Sequence, residues 1–546
     1  MQATTNRKYN VLFYTIFTLL NIVQAASTGL IDDEAYYWVY AKFLDWGYYD
    51  HPPMIAVLIR SGGALFHNEL GVRLLMIALS TASIFLLEKI VEPKNKKLFY
   101  AIILNIAVLQ FAGFIAVPDI PLAFFVIVFF YRYKQFLLKP SLLNTFAWGI
   151  SMALMLYTKY HGVLIIFFVI LSNLRMLLRW QVYVAGLFGA ILFLPHLIWQ
   201  YNHGFPSVYY HLWDRNTNAY TIAFTTEYLL GQIALAGPIL GWLFLFALVK
   251  FRSDDIFKRS LKFAAIGFYL FFLLSSLNGR IEANWTLSIL SCIAAIAYFY
   301  FVEKIKWHKA IYVSAIASFI LVCCIRLILF TGILDQKIPI VNETKGNKKW
   351  ALAIKNAAQD KPVLFLNSYQ GPSKYWFYSG DTGFSINTFT YRQNNYNIWP
   401  IGEAYMGKDV ALITSGTNDT NGINIETIKG NARLQIEKSL YFENNIIFYV
   451  QRKLSLKQNQ SILLSGKKYL NNNKFLQENI FLRISDNSNF TIDVPCTKIV
   501  LSEDNCDLYF APVNLAKGKY IGKICIKTSI PGISSLNSNT VTITAE

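Results

Sequence analysis

The stretch IDDEAYYWVYAKFLDWGYYDHPPM, residues 31–54, follows the first long apolar segment and places three acids, Asp32, Asp33 and Glu34, where an apolar helix should be leaving a bilayer. Tyr36, Tyr37, Tyr40, Phe43 and Trp46 then recur at broadly helical spacing, and a turn at Gly47 and the stop Asp50-His51-Pro52-Pro53 close the segment. The spacing predicts an aromatic, amphipathic helix lying along a membrane surface, with carboxylates at one end and a histidine at the other. An interfacial anchoring loop, with solvated acids and aromatics at head-group level, would have the same composition.

With 54% hydrophobic and only 15% charged positions, the 546-residue chain is too apolar for an ordinary water-soluble protein. Apolar runs of spanning length recur up to residue 333 and then stop, which predicts a membrane domain over 1–333. The runs are 9–30, 71–91, 97–116, 120–137, 142–157, 162–178, 181–199, 222–250, 261–278, 283–302 and 309–333, about eleven spans. The first has Arg7 and Lys8 before it and Ala25-Ala26-Ser27 at its end; it has the length of a retained span, although a cleaved signal peptide carries similar marks. The net charge of +18 does not indicate nucleic acid, because many Lys and Arg residues fall in short loops between apolar runs, where they set topology.

Basic loops at 92–97, 131–139, 175–180, 251–262 and 303–309 mark one side, the cytoplasmic one. Alternation then puts the acidic loop, Val117-Pro118-Asp119, Lys159-Tyr160-His161, the 199–220 loop and Asn278-Gly279-Arg280-Ile281-Glu282-Ala283-Asn284-Trp285 on the other side. Every polar cluster of the membrane half therefore faces one compartment.

After residue 334, Lys348–Gln359 predicts a short helix, 362–366 and 410–414 buried strands, and 376–381 a turn, within an α/β region over 334–434. From 435 to 546, short strands at 445–451, 481–484, 498–501, 520–527 and 540–544 alternate with Asn, Ser and Gly, the pattern of a β-sandwich-like module. The Asn-rich run 469–475 reads as a loop. Cys496, Cys506 and Cys525 allow one disulfide at most, with Cys496–Cys506 the pairing that proximity favours, while Cys292, Cys323 and Cys324 lie in apolar segments.

An acidic pair, an aromatic helix and a Pro-Pro stop after the first span resemble the first external loop of GT-C glycosyltransferases that use polyprenyl-phosphate sugars. The resemblance is to the bacterial protein O-mannosyltransferase-like and lipid A aminoarabinose transferase-like enzymes. It covers about residues 9–400, with the Arg280-x-Glu282-x-Asn284-Trp285 segment as its second mark. It implies a polytopic α-helical GT-C-like fold that transfers a sugar, with inversion, from polyprenyl (undecaprenyl) phosphate to a lipid A, protein or glycan acceptor. The site and the C-terminal region would face the periplasm from the bacterial inner membrane.

By this resemblance Asp33 is the carboxylate beside the reacting sugar, with Glu34 next to it and Asp119 as the second acid. Physically, such carboxylates can take a proton from an incoming hydroxyl or stabilise positive character at the anomeric carbon. The same acids would also suit helix N-termini. A lipid phosphate needs cations, and Lys159, Arg280 and His51 face the right way, although snorkelling to the interface would place such cations similarly. Where the aminoarabinose transferases have Glu-Lys-Pro-Pro, this chain has Asp50-His51-Pro52-Pro53, and Tyr36 stands where they tend to have Arg, so neither phosphate contact carries over directly. Tyr36, Tyr37, Tyr160, Glu282, Asn284, Trp285 and Tyr378 would line the substrate cavity.

No cofactor is called for. Asp50, His51, His203 and His211 offer divalent-metal ligand types without supporting spacing. The chain has no Gly-x-x-x-x-Gly-Lys phosphate loop and no Gly-x-Ser-x-Gly nucleophile turn, so a transferred group would arrive already activated on a lipid. The alternative reading is a polytopic transporter or lipid flippase, which would place ionisable residues near the bilayer midplane and show repeated halves.

Overall fold

The computed structural model describes residues 2–215, 220–334, 338–414, 422–443, 446–470, 477–486, 490–502 and 505–546. The chain divides into two compact units, one formed by 1–199 with 215–345 and the other by 200–214 with 346–546.

The first unit is helical. Its elements begin with α1 (Gln2–Ser27), α2 (Asp32–Lys42), α3 (Met54–Gly63), α4 (Glu69–Val91), α5 (Lys96–Asn105), α6 (Ala107–Phe111), α7 (Asp119–Leu138), α8 (Leu142–Thr158), α9 (Gly162–Ser172) and α10 (Trp180–Asn202). After α11 (Pro206–Tyr209), which lies in the other unit, come α12 (Ile222–Ala236), α13 (Gly241–Lys250), α14 (Ile256–Ser275), α15 (Leu290–Phe301), α16 (His308–Thr331) and α17 (Pro339–Thr344).

Each of the eleven expected spans contains helix, but the count of eleven is not sustained. Among the described residues six helices are long and apolar enough to cross a membrane, or up to eight if two bent pairs each form one span. One pair, Lys96–Asn105 with Ala107–Phe114, bends by 85°; the other, α12 with α13, bends by 93°. The second bend sits at Gly237-Pro238, where Gly237 has φ +153° and proline cannot donate to the helix ladder. A Cβ on Gly237 would lie 2.9 Å from the Asn105 carbonyl oxygen, so the two breaks abut, and glycine permits the approach. The apolar segments around 142–157 and 162–178 form only short helices, α8 and α9.

Contacts tie the helix ends together in two sets. At one end, Lys134 Nζ meets Glu92 Oε1 at 2.7 Å and the Tyr298 hydroxyl accepts from Asn95 N. At the other, Ala25, Ile77, Phe114, Leu329 and Val341 form an apolar cluster beneath the loops that carry the expected site residues. The chain is thus an integral membrane protein.

In the second unit, α18 (Asn347–Ala358) and α19 (Gln370–Ser379) accompany a five-stranded sheet. Its strands are β1 (Val363–Leu366), β2 (Gly383–Ile386), β3 (Val410–Thr414), β4 (Ile423–Thr427) and β5 (Gly430–Glu437), in the order β2-β1-β3-β5-β4. The helix α18 and strands β1 and β3 lie where expected, whereas the expected turn at 376–381 is mostly helical, within α19.

The tail forms β6 (Ile446–Val450), β7 (Lys453–Leu456), β8 (Gln460–Leu470), β9 (Ile480–Ser485), β10 (Thr491–Leu501), β11 (Asn505–Val513), β12 (Gly518–Lys527), β13 (Ser534–Leu536) and β14 (Val541–Ala545). The order is β6-β8-β11-β10-β9-β12-β14-β7, with β13 on β12. A register shift between Cys496 and Lys498 interrupts the β10–β11 ladder, and one core containing Phe448, Leu464, Ile484, Phe510 and Ile543 draws on strands from across the sheet. Of the Asn-rich run, residues 471–476 lie outside the described residues.

The expected Cys496–Cys506 disulfide is absent, and both thiols are free. In the β10–β11 ladder Cys496 faces Phe510 while Cys506 faces Leu501. At strand rise that separates them by roughly 15 Å, far beyond the Cα spacing a disulfide tolerates.

Candidate active site

The acidic loop is built around Glu34. This side chain is fully buried and its oxygens are heavily engaged. Oε1 accepts from Arg73 Nε at 2.7 Å and from Ala116 N at 2.8 Å; Oε2 accepts from Arg73 Nη2 at 2.5 Å and from Ile31 N at 3.0 Å. The Arg73 guanidinium also donates to the carbonyls of Ala25, Thr28 and Gly29, the last turn of α1 and its exit. A cation thus closes the C-terminal end of α1 and a carboxylate opens α2, as the helix dipoles favour. Glu34 therefore holds the loop, whereas Asp33, one residue earlier, is only half-buried. The Asp32 amide donates to Glu343 Oε1 at 2.6 Å.

The aromatic helix differs from the expected surface helix, because Tyr36, Tyr37 and Tyr40 are buried. The ring of Tyr40 stacks on Tyr48 at 3.9 Å and meets Tyr36 at 4.8 Å, and Tyr37 packs edge-on to His51 at 5.6 Å. Tyrosine offers an apolar body and a polar tip, so a cluster of this type can be buried on one face and hydrogen-bonded at its rim. Burial raises the Tyr40 and Tyr48 hydroxyls well above the usual tyrosine range.

At the same end of the bundle, Asp119 opens α7 and Lys159 follows α8. Both are buried, with Lys159 Nζ 2.7 Å from Asp119 Oδ1. The other carboxylate oxygen, Oδ2, accepts from Asn284 Nδ2 at 2.9 Å, and Asn284 is exposed, so the pair opens outward on that side. Trp285 lies beside it: Lys159 Nζ is 6.0 Å from its ring, Arg215 is 4.2 Å from it, and His161 packs at 5.1 Å. Arg215 also reaches Glu282 at 3.8 Å. Because Ala116 binds Glu34 three residues before Asp119, the acidic start of α2 and the start of α7 are fastened side by side.

Arg280 stands apart from this cluster. It is exposed and reaches Glu227 at 3.7 Å. Tyr160 and His196 Nε2 share a hydrogen bond of 2.9 Å, and His196 Nδ1 is 2.7 Å from the Trp46 carbonyl oxygen. A carbonyl only accepts, so Nδ1 carries the proton and, in the neutral ring, Tyr160 donates to Nε2. Tyr378 belongs to the second unit, where its ring lies 4.9 Å from Phe377.

The loop after α10 also belongs to the second unit. There Arg392 lies over Tyr210 and Tyr369, at 4.8 and 5.1 Å, and Arg452 lies over Tyr209 at 4.2 Å. Among the described residues no group of three or more His, Cys, Asp or Glu comes together as a metal site would.

Residues 50–199 match the family of Dolichyl-phosphate-mannose-protein mannosyltransferase. The Lipid A galacturonosyltransferase RgtD of Rhizobium johnstonii is 24% identical over 321 residues, 55% of this chain and 66% of that relative, just under two thirds of its length. Apo ArnT from Cupriavidus metallidurans superposes with TM-score 0.59 at 12% identity, covering 79% of this chain and 98% of that one. The chain shares the fold of the GT-C glycosyltransferase ArnT. ArnT bound to undecaprenyl phosphate superposes on this chain with TM-score 0.57 at 14% identity, over 78% of it and 98% of ArnT.

Sequence reasoning did not single out Arg73 or His196. The usable signal for Arg73 was a charge inside an otherwise apolar span, which is costly unless partnered.

Proposed function

We propose that this GT-C chain moves a sugar from a polyprenyl phosphate, undecaprenyl phosphate in a bacterial inner membrane, to a lipid acceptor of the lipid A class on the periplasmic face. One observation carries the reading: Asp119 is held by Lys159 and Asn284 at the bundle end where α2 carries Asp33 in its first turn. Carboxylates and a cation thus gather where a lipid head group at the membrane surface can reach them. The galacturonosyltransferase relative favours lipid A over a protein or a growing glycan as acceptor.

In this reaction Asp33 takes the proton from an acceptor hydroxyl, whose oxygen attacks the anomeric carbon. The bond from that carbon to the phosphate oxygen breaks, and polyprenyl phosphate leaves with the electron pair. Asp119 orients the acceptor, while Lys159 offsets charge on the leaving phosphate. Glu34 is a positioning residue, fixing the backbone that carries Asp33. The scheme calls on no cofactor.

The test is a reconstitution of the purified chain with lipid A and undecaprenyl phosphate carrying a labelled sugar. Label should pass to lipid A with release of undecaprenyl phosphate. Movement of intact donor across the bilayer without cleavage would instead identify a flippase.

A further inference from the structure

At the end of the helix bundle opposite Asp119 lies a cavity of about 740 Å³, within the size range of ligand pockets. Its lining is amphipathic. The apolar wall includes Val91, Phe136, Met176 and Phe257, and the charged rim includes Lys134, Arg175, Arg179 and Lys258.

The acids at this rim leave the two arginines available. Glu92 is bound by Lys134 at 2.7 Å, which draws its carboxyl below the usual range, and Asp255 Oδ1 accepts from Lys258 N at 3.0 Å as the cap of α14. Asp254 is exposed. Arg175 and Arg179 form no ion pair among the described residues, and both are exposed.

We propose that this cavity holds the head group of an anionic phospholipid, its phosphodiester gripped by Arg175 and Arg179. Guanidinium groups bind phosphate oxygens through paired N–H donors. The apolar wall fits the glycerol backbone and first methylenes of the chains. Asp254 can accept from head-group hydroxyls, so phosphatidylglycerol fits better than a bare phosphate. Basic residues at helix ends also serve topology, but that role requires no cavity.

The experiment is native mass spectrometry of the delipidated full chain titrated with phosphatidylglycerol or phosphatidylcholine. Wild type should prefer the anionic lipid by about tenfold, and the variant Arg175→Ala/Arg179→Ala should lose that preference. A fold-preserving second variant, Arg175→Lys/Arg179→Lys, keeps the charge but loses the paired donors and should show a reduced preference. An undiminished preference in both variants overturns the proposal. Glycerol 3-phosphate and inorganic phosphate serve as competitors: displacement of the lipid at equal concentration would make this a soluble-phosphate site and overturn the lipid assignment.

Discussion

Asp119 and Lys159 form a buried ion pair, 2.7 Å between Oδ1 and Nζ, that joins the start of α7 to the end of α8. The pair is not sealed, since Asn284 holds the second oxygen from an exposed position. A buried pair is weak evidence for net stability, but losing one partner strands the other charge in a low-dielectric site.

Asp119→Asn should therefore lower stability by about 3–5 kcal/mol, read as a fall in the melting temperature of the detergent-solubilised protein. Asp119→Asn combined with Lys159→Met should recover part of that loss, because no stranded charge remains. Equal melting temperatures for wild type and the single variant would contradict the burial of the pair.

Glu34 and Asp33 should separate cleanly. Glu34→Gln removes the charge facing the fully buried Arg73 and should cost about 3–5 kcal/mol of stability. Its effect on transfer per folded molecule should be small beside that of Asp33→Asn, which should leave the melting temperature unchanged. The comparison needs thermal melts and label transfer on the same preparations.

Gly47 is needed for close approach, since a Cβ there would lie 2.4 Å from the Trp199 ring and 3.0 Å from His196 Nδ1. Trp199 cannot swing away freely, because its indole N–H donates to Asp45 Oδ2 at 2.7 Å. Gly47→Ala should destabilise by about 1–3 kcal/mol, whereas Gly380→Ala meets open space and should be felt only through its φ of +81°.

Burial pushes the Cys496 thiol up to about 11 and those of Cys506 and Cys525 up to about 12. An unfolded thiol ionises near 9, so between there and 12 the folded chain holds protons that the unfolded chain releases. The sign follows: these thiols favour the folded state fully below pH 9, and stability falls as pH rises beyond it. Melts of the full chain should decline over pH 9–11, with the triple Cys→Ser variant declining less. Reductant should not alter the melting temperature, since no Cys496–Cys506 bridge exists to be broken.

That Asp119, Lys159, Asn284 and Trp285 share one end of the bundle was legible, because hydropathy locates the spans and Lys- and Arg-rich loops fix their alternation. Asp119, Lys159, Asn284 and Trp285 come from three separate loops, and that alternation was enough to bring them together. What they touch was not legible. Whether an acid serves chemistry or architecture depends on its partner, and Arg73, which claims Glu34, lies 39 residues away within an apolar helix. Eleven spans were too many because the runs at 142–157 and 162–178 form only the short helices α8 and α9, and because hydropathy is blind to the two right-angle bends, one of them marked by Gly237-Pro238. The Cys496–Cys506 reading failed because proximity in sequence says nothing of strand register.

The most direct test of the account is the rate at which Asp33→Asn passes labelled sugar from undecaprenyl phosphate to lipid A, measured beside wild type on equally stable protein. A carboxylate acting as base should cost about 10²–10⁴-fold when removed. A loss in that range, with the melting temperature retained, is the expected result; transfer at the wild-type rate would contradict the assignment of the reaction to this site.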